Sequence, residues 1–275
     1  MSARSRLLHL LLLPMASRAR GGRQHEKQAC GVHHKAAFNI CHCSCVIVDV
    51  GLNHGKSLLE WAPVAANMAD SVDARWPARH SRLKQCIADN ATTCYYGFEA
   101  NPTFDGELKA IEGRLRSEAR PVKLFTSTAF NTNDQPAEFY VEPKASRSGN
   151  TGSTLEADKR FHFIDKDGVW RHNVHQNVSV AERYRKVRVS SMNAGDFLAD
   201  LAASSEFIAL KLDIEGFEYT LIPYLLLHHP RALCALDVMA VEWHERMVPK
   251  YAGATSHLLY MMQHSFCNMT MLWWT

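Results

Sequence analysis

The sequence predicts an α/β fold built on a doubly wound, mostly parallel sheet, with a β-hairpin or loop excursion before the fourth core strand. Short apolar segments rich in β-branched residues alternate along the chain with segments whose apolar residues recur at helical spacing. Apolar runs without alternation are typical of strands that helices cover on both faces, as in parallel sheets. Strands and helices in alternation form such sheets through right-handed crossovers.

The first predicted strand covers residues 46–50 and contains four β-branched residues and one acid, Asp49, where the strand leaves the core. Gly51 and Gly55 follow in a turn, and a first crossover helix is predicted over residues 56–68. Because glycine lacks a Cβ atom, a ligand can approach the backbone N–H groups at the start of this helix. This glycine loop, residues 51–55, therefore predicts a nucleotide or nucleoside site.

The composition of this loop narrows the class of ligand. Asn53 stands where the dinucleotide fingerprint has its second glycine, which disfavours a pyrophosphate-binding loop for NAD. An acid before the first glycine suits a cofactor that has a positive charge and no phosphates. We therefore assign Asp49, Gly51, Asn53 and Gly55 to cofactor binding.

A second acid ends the second predicted strand, residues 94–99, which follows a polar insertion over residues 70–90. Glu99 is that acid, and Asn101 with Pro102 begins the next helix. If the first two strands are neighbours, Glu99 lies beside the glycine loop, where its carboxylate can accept hydrogen bonds from both hydroxyls of a ribose. We assign Glu99 and Asn101 to the same site.

The remaining elements follow from the same patterns. In chain order they are a helix over residues 102–118, a third strand over 121–126, short strands over 137–141 and 186–189, a helix over 196–201, a fourth strand over 207–212, a helix over 221–227 that Pro230 ends, a fifth strand over 238–241, and a helix and a strand within 257–274. The polar segment between the two short strands predicts a lid or acceptor-binding loop, with a disordered loop as the alternative.

Four sequence blocks, in this order, resemble the FkbM-type S-adenosylmethionine-dependent methyltransferases. They are residues 49–55 (DVGLNHG), 97–102 (GFEANP), 210–218 (LKLDIEGFE) and 241–244 (VEWH), and the resemblance extends over roughly residues 45–244. It implies a Rossmann-like class I methyltransferase fold, S-adenosyl-L-methionine as cofactor, and O-methylation of a sugar or another small hydroxylated acceptor. In the family's pattern residues 127–130 fall near the adenine, so the resemblance implies that Thr128 and Ala129 contact the cofactor.

The candidate catalytic residues, Asp213 and His244, end the fourth and fifth strands, and ligands of doubly wound sheets bind beyond the carboxyl ends of the strands. A hydroxyl acceptor needs a base to take its proton, and a neutral imidazole at about pH 7 suits this task. Asp213 can share the proton or orient the acceptor. We assign no metal site; a divalent cation held by Asp213, Glu242 and His244 is one alternative, and a purely structural His244 is another.

Two other classes of function stay open. One is an NAD(P)-dependent oxidoreductase on the same kind of sheet, against which the missing glycine argues. The other is a methyltransferase-like protein that binds a partner without catalysis, against which the presence of all four blocks argues. The expected partner is a small-molecule or glycan acceptor, as the resemblance implies. A net charge of only +3 over 275 residues gives no overall field that points to nucleic acid. The oligomeric state stays open.

The chain divides into an N-terminal extension, residues 1–40, and a methyltransferase-like domain, residues 41–275. The extension begins with Arg4 and Arg6 before a leucine-rich stretch over residues 7–13, and further arginines follow. This pattern fits a secretory signal and an organellar transit peptide about equally, while an extension without a targeting function would leave the protein cytoplasmic. The apolar stretch is too short for a membrane span, so we predict none.

The eight cysteines of the chain allow several states. Cys41, Cys43 and Cys45 alternate, which predicts that their thiols share one face of an extended segment. Small buried free cysteines are the preferred interpretation. A zinc site is the alternative, disfavoured because no second pair of ligands at metal spacing accompanies them. The disulfide state stays open.

Overall fold

The computed structural model describes residues 43–57, 76–89, 92–142, 153–157, 159, 162–164, 170–172, 181, 184–264, 267 and 269–273. The predicted N-terminal extension, with its leucine-rich stretch, and most of the predicted first crossover helix lie outside the described residues. Within the described part of the chain, no helix has both the length and the apolar character needed to cross a membrane.

The elements are numbered in chain order. The described strands are β1 (Cys45–Val50), β2 (Thr93–Glu99), β3 (Val122–Thr126), β4 (Thr128–Asn131), β5 (Ala137–Val141), β6 (His162–Ile164), β7 (Trp170–His172), β8 (Arg185–Asn193), β9 (Phe207–Leu212), β10 (Val238–Val241) and β11 (Thr270–Trp273). The described α-helices are α1 (Trp76–Ala88), α2 (Asp105–Ser117), α3 (Ala194–Ser204), α4 (Glu218–His228), α5 (Pro230–Leu233) and α6 (Ala254–His264).

Six of these strands form one parallel sheet in the order β11-β10-β9-β1-β2-β3. The central strand β1 has β2 on one side and β9 on the other, so the strand order reverses at β1. Asp49 of β1 is opposite Gly97 of β2 and Lys211 of β9. Ligands of doubly wound sheets bind beyond the carboxyl ends of the strands at such a reversal. The predicted fold class is confirmed.

Helices bury both faces of the large sheet, which is why its strands are apolar throughout. On one face, Val48 of β1 belongs to a buried cluster with Leu198 of α3 and Leu221 of α4. On the other face, Ile47 belongs to a cluster with Leu108 of α2. Burying one such side chain contributes about 1.5–3 kcal/mol. The core therefore holds the carboxyl ends of β1, β2 and β9 in fixed positions.

A second, smaller sheet has the order β4-β8-β5, in which β4 is parallel to β8 and β5 is antiparallel to it. β5 and β8 contain the two predicted short strands, and β6 and β7 pair as an antiparallel hairpin between them. The segment from β5 to β8 is the predicted excursion before the fourth core strand, which is thus confirmed. The prediction missed β4, because it has four residues and its partner lies far along the chain.

The structure contradicts the predicted polar insertion over residues 70–90, because the second part of that segment forms α1. Leu83 and Cys86 are the residues of α1 described as buried, and Ile87 packs partly against them. So narrow an apolar strip among arginines and lysines has the composition of a loop. Pro230 ends the preceding helix as predicted, and it also begins α5.

Three disulfides join cysteines in the described part of the chain: Cys43–Cys94, Cys45–Cys86 and Cys234–Cys267. The preferred interpretation as free buried thiols is therefore wrong for these six residues. Cys43 also packs on the opposite face of the sheet from Cys45, because β1 begins only at Cys45 and the alternation does not extend back to Cys43. The first two disulfides attach the start of β1 to β2 and to α1.

Candidate active site

A cleft of ≈ 470 Å³ opens at the carboxyl ends of β1, β2 and β9, beside the reversal of strand order. The lining residues come from the glycine loop, the ends of β2 and β9, the small sheet and the excursion: Val50, Gly51, Asn53, Phe98, Glu99, Ala100, Thr128, Ala129, Phe130, Phe139, Ser153, Leu155, Asp213, Ile214 and Glu215.

The cleft brings together most of the site residues predicted from the sequence. Those in its wall are Gly51, Asn53, Glu99, Thr128, Ala129 and Asp213. The other four, Asp49, Gly55, Asn101 and His244, lie behind this wall rather than in it. Their positions show how each supports a residue that faces the cleft.

The loop after β1 has the left-handed backbone that its glycines predict, with φ of 86° at Gly51, 50° at Asn53 and 70° at Gly55. A Cβ atom at Gly51 would lie 1.7 Å from the carbonyl oxygen of Asp213. A Cβ atom at Gly55 would lie 2.8 Å from Cδ1 of Ile111 in α2. The two glycines therefore let the loop fit between β9 and α2, and only Gly51 also faces the cleft.

Glu99 presents a buried carboxylate at the end of β2, with 5% of the residue exposed. Its Oε2 accepts a hydrogen bond from the N–H of Asn53, and its Oε1 accepts one from the N–H of Asn101, both at 2.7 Å. Burial raises the pKa of this carboxyl to about 7, although the two N–H donors favour the ionised form. Each oxygen keeps a second lone pair for a further donor.

Asn101 holds the segment that follows β2. Its Oδ1 accepts a hydrogen bond from the N–H of Thr103 at 3.1 Å, and its Nδ2 donates to Oγ of Ser153 at 3.1 Å. Asn101 thereby joins the start of the next helix to the excursion.

Thr128 and Ala129 reach the cleft because the chain turns directly from β3 into β4.

Asp49 contributes to the site through a buried ion pair. Its Oδ1 lies 3.3 Å from Nζ of Lys211, whose Nζ also lies 3.2 Å from Oδ2 of Asp213 and donates to the Gly51 carbonyl at 3.4 Å. Burial lowers the pKa of Lys211, but the charges of Asp49 and Asp213 outweigh it and raise that pKa. The protonated lysine thus links β1, the glycine loop and β9. Direct contact between Asp49 and a cofactor stays a prediction.

His244 is 5% exposed and is oriented by a buried carboxylate. Its Nδ1 lies 3.1 Å from Oε1 of Glu218, and Glu218 also accepts hydrogen bonds from the N–H groups of Ile214 and Gly216, each at 2.8 Å. Because an ionised carboxylate only accepts hydrogen bonds, Nδ1 carries the proton of this pair. The other ring nitrogen, Nε2, therefore points away from Glu218.

Three further carboxylates surround Nε2 of His244. The distances are 3.6 Å to Oε1 of Glu242, 3.7 Å to Oε2 of Glu215 and 3.9 Å to Oδ1 of Asp213. All three exceed an ordinary hydrogen bond. Burial lowers the pKa of His244, but the charges of Glu218 and Glu215 outweigh it and raise that pKa well above its usual value. This shift opposes the neutral base expected at about pH 7.

Part of the excursion lies at the β9 end of the cleft. Oγ1 of Thr154 donates to the carbonyl oxygen of Glu215 at 2.9 Å, and Nζ of Lys159 forms a close ion pair with the Glu215 carboxylate. Ser153 and Leu155 line the cleft itself. The predicted lid segment thus contacts the cleft, and its role in binding an acceptor stays a prediction.

Sequence reasoning missed the roles of Lys211 and Glu218. Lys211 is the charged residue inside the apolar strand β9, and this exception was the available signal, since a buried lysine needs paired acids. Glu218 begins α4, and its position in the sequence alone assigned it no role. It does accept the N–H groups there, and it also binds His244, a contact between strand and helix that spacing does not reveal.

The parallel sheet, the reversal at β1 and the acid that ends β2 define the class of protein as a Rossmann-like, cofactor-binding fold. The family model for the methyltransferase FkbM domain matches residues 49–266, so the chain belongs to this family. No curated protein and no solved structure matches the chain at a significant level.

Proposed function

We propose that the protein transfers a methyl group from S-adenosyl-L-methionine to a hydroxyl oxygen of a small molecule or glycan. The observation that carries this proposal is the position of Glu99. Its carboxylate lies in the wall of the cleft at the end of β2, 2.7 Å from the N–H of Asn53 in the glycine loop. Asp213 lines the same cleft at the end of β9.

The residues of the cleft fit the parts of this cofactor. The free lone pairs of Glu99 can accept hydrogen bonds from the two ribose hydroxyls. Ala129, Phe130 and Phe139 supply apolar surface for a purine on the small-sheet side of the cleft. Fit on this side supports the assignment of Thr128 and Ala129 to the adenine.

The charges of the cleft also favour this cofactor over a dinucleotide. Three acids, Glu99, Asp213 and Glu215, line the cleft, and Lys211 is buried behind it in ion pairs with Asp49 and Asp213. Such a wall attracts a sulfonium cation and repels a pyrophosphate. This is the physical basis for preferring a methyltransferase to a nicotinamide-dependent oxidoreductase.

When bound, S-adenosyl-L-methionine supplies a methyl group whose carbon bonds to the acceptor oxygen as the carbon–sulfur bond breaks, leaving its electron pair on sulfur. Asp213, Glu242 and His244 cluster at the ends of β9 and β10, where the two carboxylates can receive the hydroxyl proton of the acceptor and His244 can orient it. The excursion closes the same end through Thr154 and Lys159. The chain thus supplies cofactor contacts at one end of the cleft and proton acceptors at the other.

Titration calorimetry of the full chain with S-adenosylmethionine, S-adenosylhomocysteine and NAD tests the proposal. We expect the first two ligands to bind and NAD not to bind. Binding of NAD alone would favour the oxidoreductase, and binding of none would remove the cofactor assignment.

Turnover separates an enzyme from a methyltransferase-like binding protein. Radiolabelled S-adenosylmethionine, supplied with a panel of sugars and other hydroxylated compounds, should label at least one acceptor. With that acceptor, His244→Ala should retain cofactor affinity and lose about a hundredfold in turnover. Cofactor binding without any labelled product would favour the binding protein.

A further inference from the structure

We infer that Asp213, Glu242 and His244 bind a divalent cation of the Mn²⁺ type at the acceptor end of the cleft. Each of the three residues offers one ligand atom, and these atoms lie within 4.8 Å of one another. Asp213 follows β9 and His244 follows β10, so the rigid core of the sheet sets their separation. Three protein ligands leave the remaining positions of a six-coordinate cation for water and for oxygens of the acceptor.

The orientation of His244 is an independent observation that points to a cation. Its Nδ1–H donates to Glu218, which has no exposed surface and is itself fixed by two backbone N–H groups. Histidines that bind metals commonly donate their other ring N–H to a carboxylate in this way, which fixes the tautomer and the ring. Nε2, the ligand atom, faces Glu242 and Asp213 at distances of 3.6 and 3.9 Å. A cation between these atoms would replace contacts that are too long for hydrogen bonds.

The residues around the three ligands carry an excess of negative charge, which favours a bound cation. Five carboxylates lie on or directly behind this end of the cleft: Asp49, Asp213, Glu215, Glu218 and Glu242. Among the described residues that ion-pair with them, Lys211, Lys159 and, when protonated, His244 supply positive charge. A divalent ion that takes the place of the proton on Nε2 of His244 would offset most of the remaining negative charge in a region where burial makes unpaired charges costly.

The donor set indicates which cation is expected. Carboxylate ligands suit Mg²⁺, Ca²⁺ and Mn²⁺, whereas imidazole suits transition metals. Two carboxylates with one imidazole therefore favour Mn²⁺ or a similar ion over Mg²⁺. The cation site rests on the proposed function only for its role toward the acceptor, because the ligands themselves are independent of Glu99 and the cofactor.

Titration of the metal-depleted full chain with MnCl₂, followed by calorimetry and electron paramagnetic resonance, tests this inference. We expect one bound Mn²⁺ per chain. Glu242→Gln should weaken binding at least about tenfold, since it replaces an ionised ligand on a partly exposed side chain. Glu206→Gln is the matched control, because Glu206 is an exposed acid that precedes the same strand β9 at the opposite end of the sheet. It should bind Mn²⁺ like the parent protein.

A spectroscopic readout covers the case in which a variant fails to fold. Pulsed electron paramagnetic resonance of the parent complex should show coupling of Mn²⁺ to an imidazole nitrogen, and His244→Gln should remove it. No bound Mn²⁺, equal affinity in Glu242→Gln, or a complex without nitrogen coupling would each overturn the inference. Glu99→Ala distinguishes the two proposals, since it should lose S-adenosylmethionine and keep Mn²⁺. Mn²⁺ binding without cofactor binding would therefore refute the proposed function alone.

Discussion

The carboxylate of Glu99 is held by two backbone N–H groups, one from the glycine loop and one from the segment after β2. This arrangement fixes the side chain before any ligand arrives, so a ribose would find its acceptor in place. The cofactor assignment depends on this residue more than on any other. Two predictions at the residue scale concern it.

Glu99→Ala should weaken the binding of S-adenosylmethionine by about 2 to 4 kcal/mol, because two charge-assisted hydrogen bonds are lost. Calorimetry measures the change, and circular dichroism checks that the variant is folded. Glu206→Gln removes an exposed acid and should leave the affinity unchanged. Unaltered affinity in a folded Glu99→Ala protein would remove Glu99 from the site.

The affinity for S-adenosylmethionine should fall as the pH is lowered through about 7, the pKa to which burial raises the Glu99 carboxyl. Ribose hydroxyls donate to the ionised form, and the protonated form dominates below this pKa. Between about pH 8 and about pH 6 we expect roughly a tenfold loss of affinity. Calorimetry at both pH values measures it, and Glu99→Ala corrects for protons that the ligand itself releases. The same slope in that variant would contradict the assignment.

The raised pKa of Glu99 also makes the free energy of unfolding depend on pH. Burial raises the pKa of its carboxyl from its usual range to about 7 in the folded protein. The folded state therefore holds this proton more tightly than the unfolded state does. The contribution of Glu99 to stability is present below the unfolded pKa and is lost as the pH rises through the folded pKa.

At the scale of elements, the glycine loop and the end of β9 are in direct backbone contact. Gly51 has a φ of 86°, and a Cβ atom there would lie 1.7 Å from the carbonyl oxygen of Asp213. The sequence predicted that Gly51 leaves room for a ligand. The structure shows that it first leaves room for β9, which places Asp213 in the cleft.

Gly51→Ala should lower the free energy of unfolding by about 2 kcal/mol or more, because it adds backbone strain and a steric overlap. It should also weaken the cofactor, since Asp213 or the loop must move. Gly113→Ala is the control, because a Cβ atom there meets nothing within 4 Å in the middle of α2. That change should stabilise by about 0.5–1 kcal/mol. Urea denaturation measures both, and equal stability of the two variants would refute the contact.

The sequence predicted the strands that position the site because their signal is local. β1, β9 and β10 are buried runs that end in acids or glycines, and the prediction placed each within one residue of the observed bounds. By contrast, α1 has too narrow an apolar strip to be recognised, and β4 depends on a distant partner.

The positions of Glu99 and Asp213 in the cleft were predicted because each follows from the end of a strand. Residues whose place depends on contacts across elements were not predicted. The pairing of Lys211 with Asp49 needs the register of β9 on β1, and that of Glu218 with His244 needs α4 beside β10. No spacing along the chain encodes either contact.

At the scale of the whole molecule, the three disulfides of the described residues close chain segments of 51, 41 and 33 residues. Two of them fix the start of β1, the central strand, and the third joins the end of α5 to the segment before β11. Removing one such bond from the protein should cost about 2–5 kcal/mol.

The oxidised protein should therefore melt at a higher temperature than the protein reduced with dithiothreitol. Mass spectrometry of a non-reduced digest should find the pairs Cys43–Cys94, Cys45–Cys86 and Cys234–Cys267. Alkylation before reduction provides the control, because paired cysteines do not react. Full alkylation of these six cysteines in the native protein would refute the disulfides.

A crystal structure of the full chain with S-adenosylhomocysteine would locate the cofactor relative to Glu99. We expect both ribose hydroxyls to lie within about 3 Å of the Glu99 carboxylate oxygens. We also expect the adenine to lie beside Thr128 and Ala129, and the sulfur to face Asp213. A ligand bound elsewhere, or one whose ribose does not contact Glu99, would refute the assignment of Glu99 to cofactor binding.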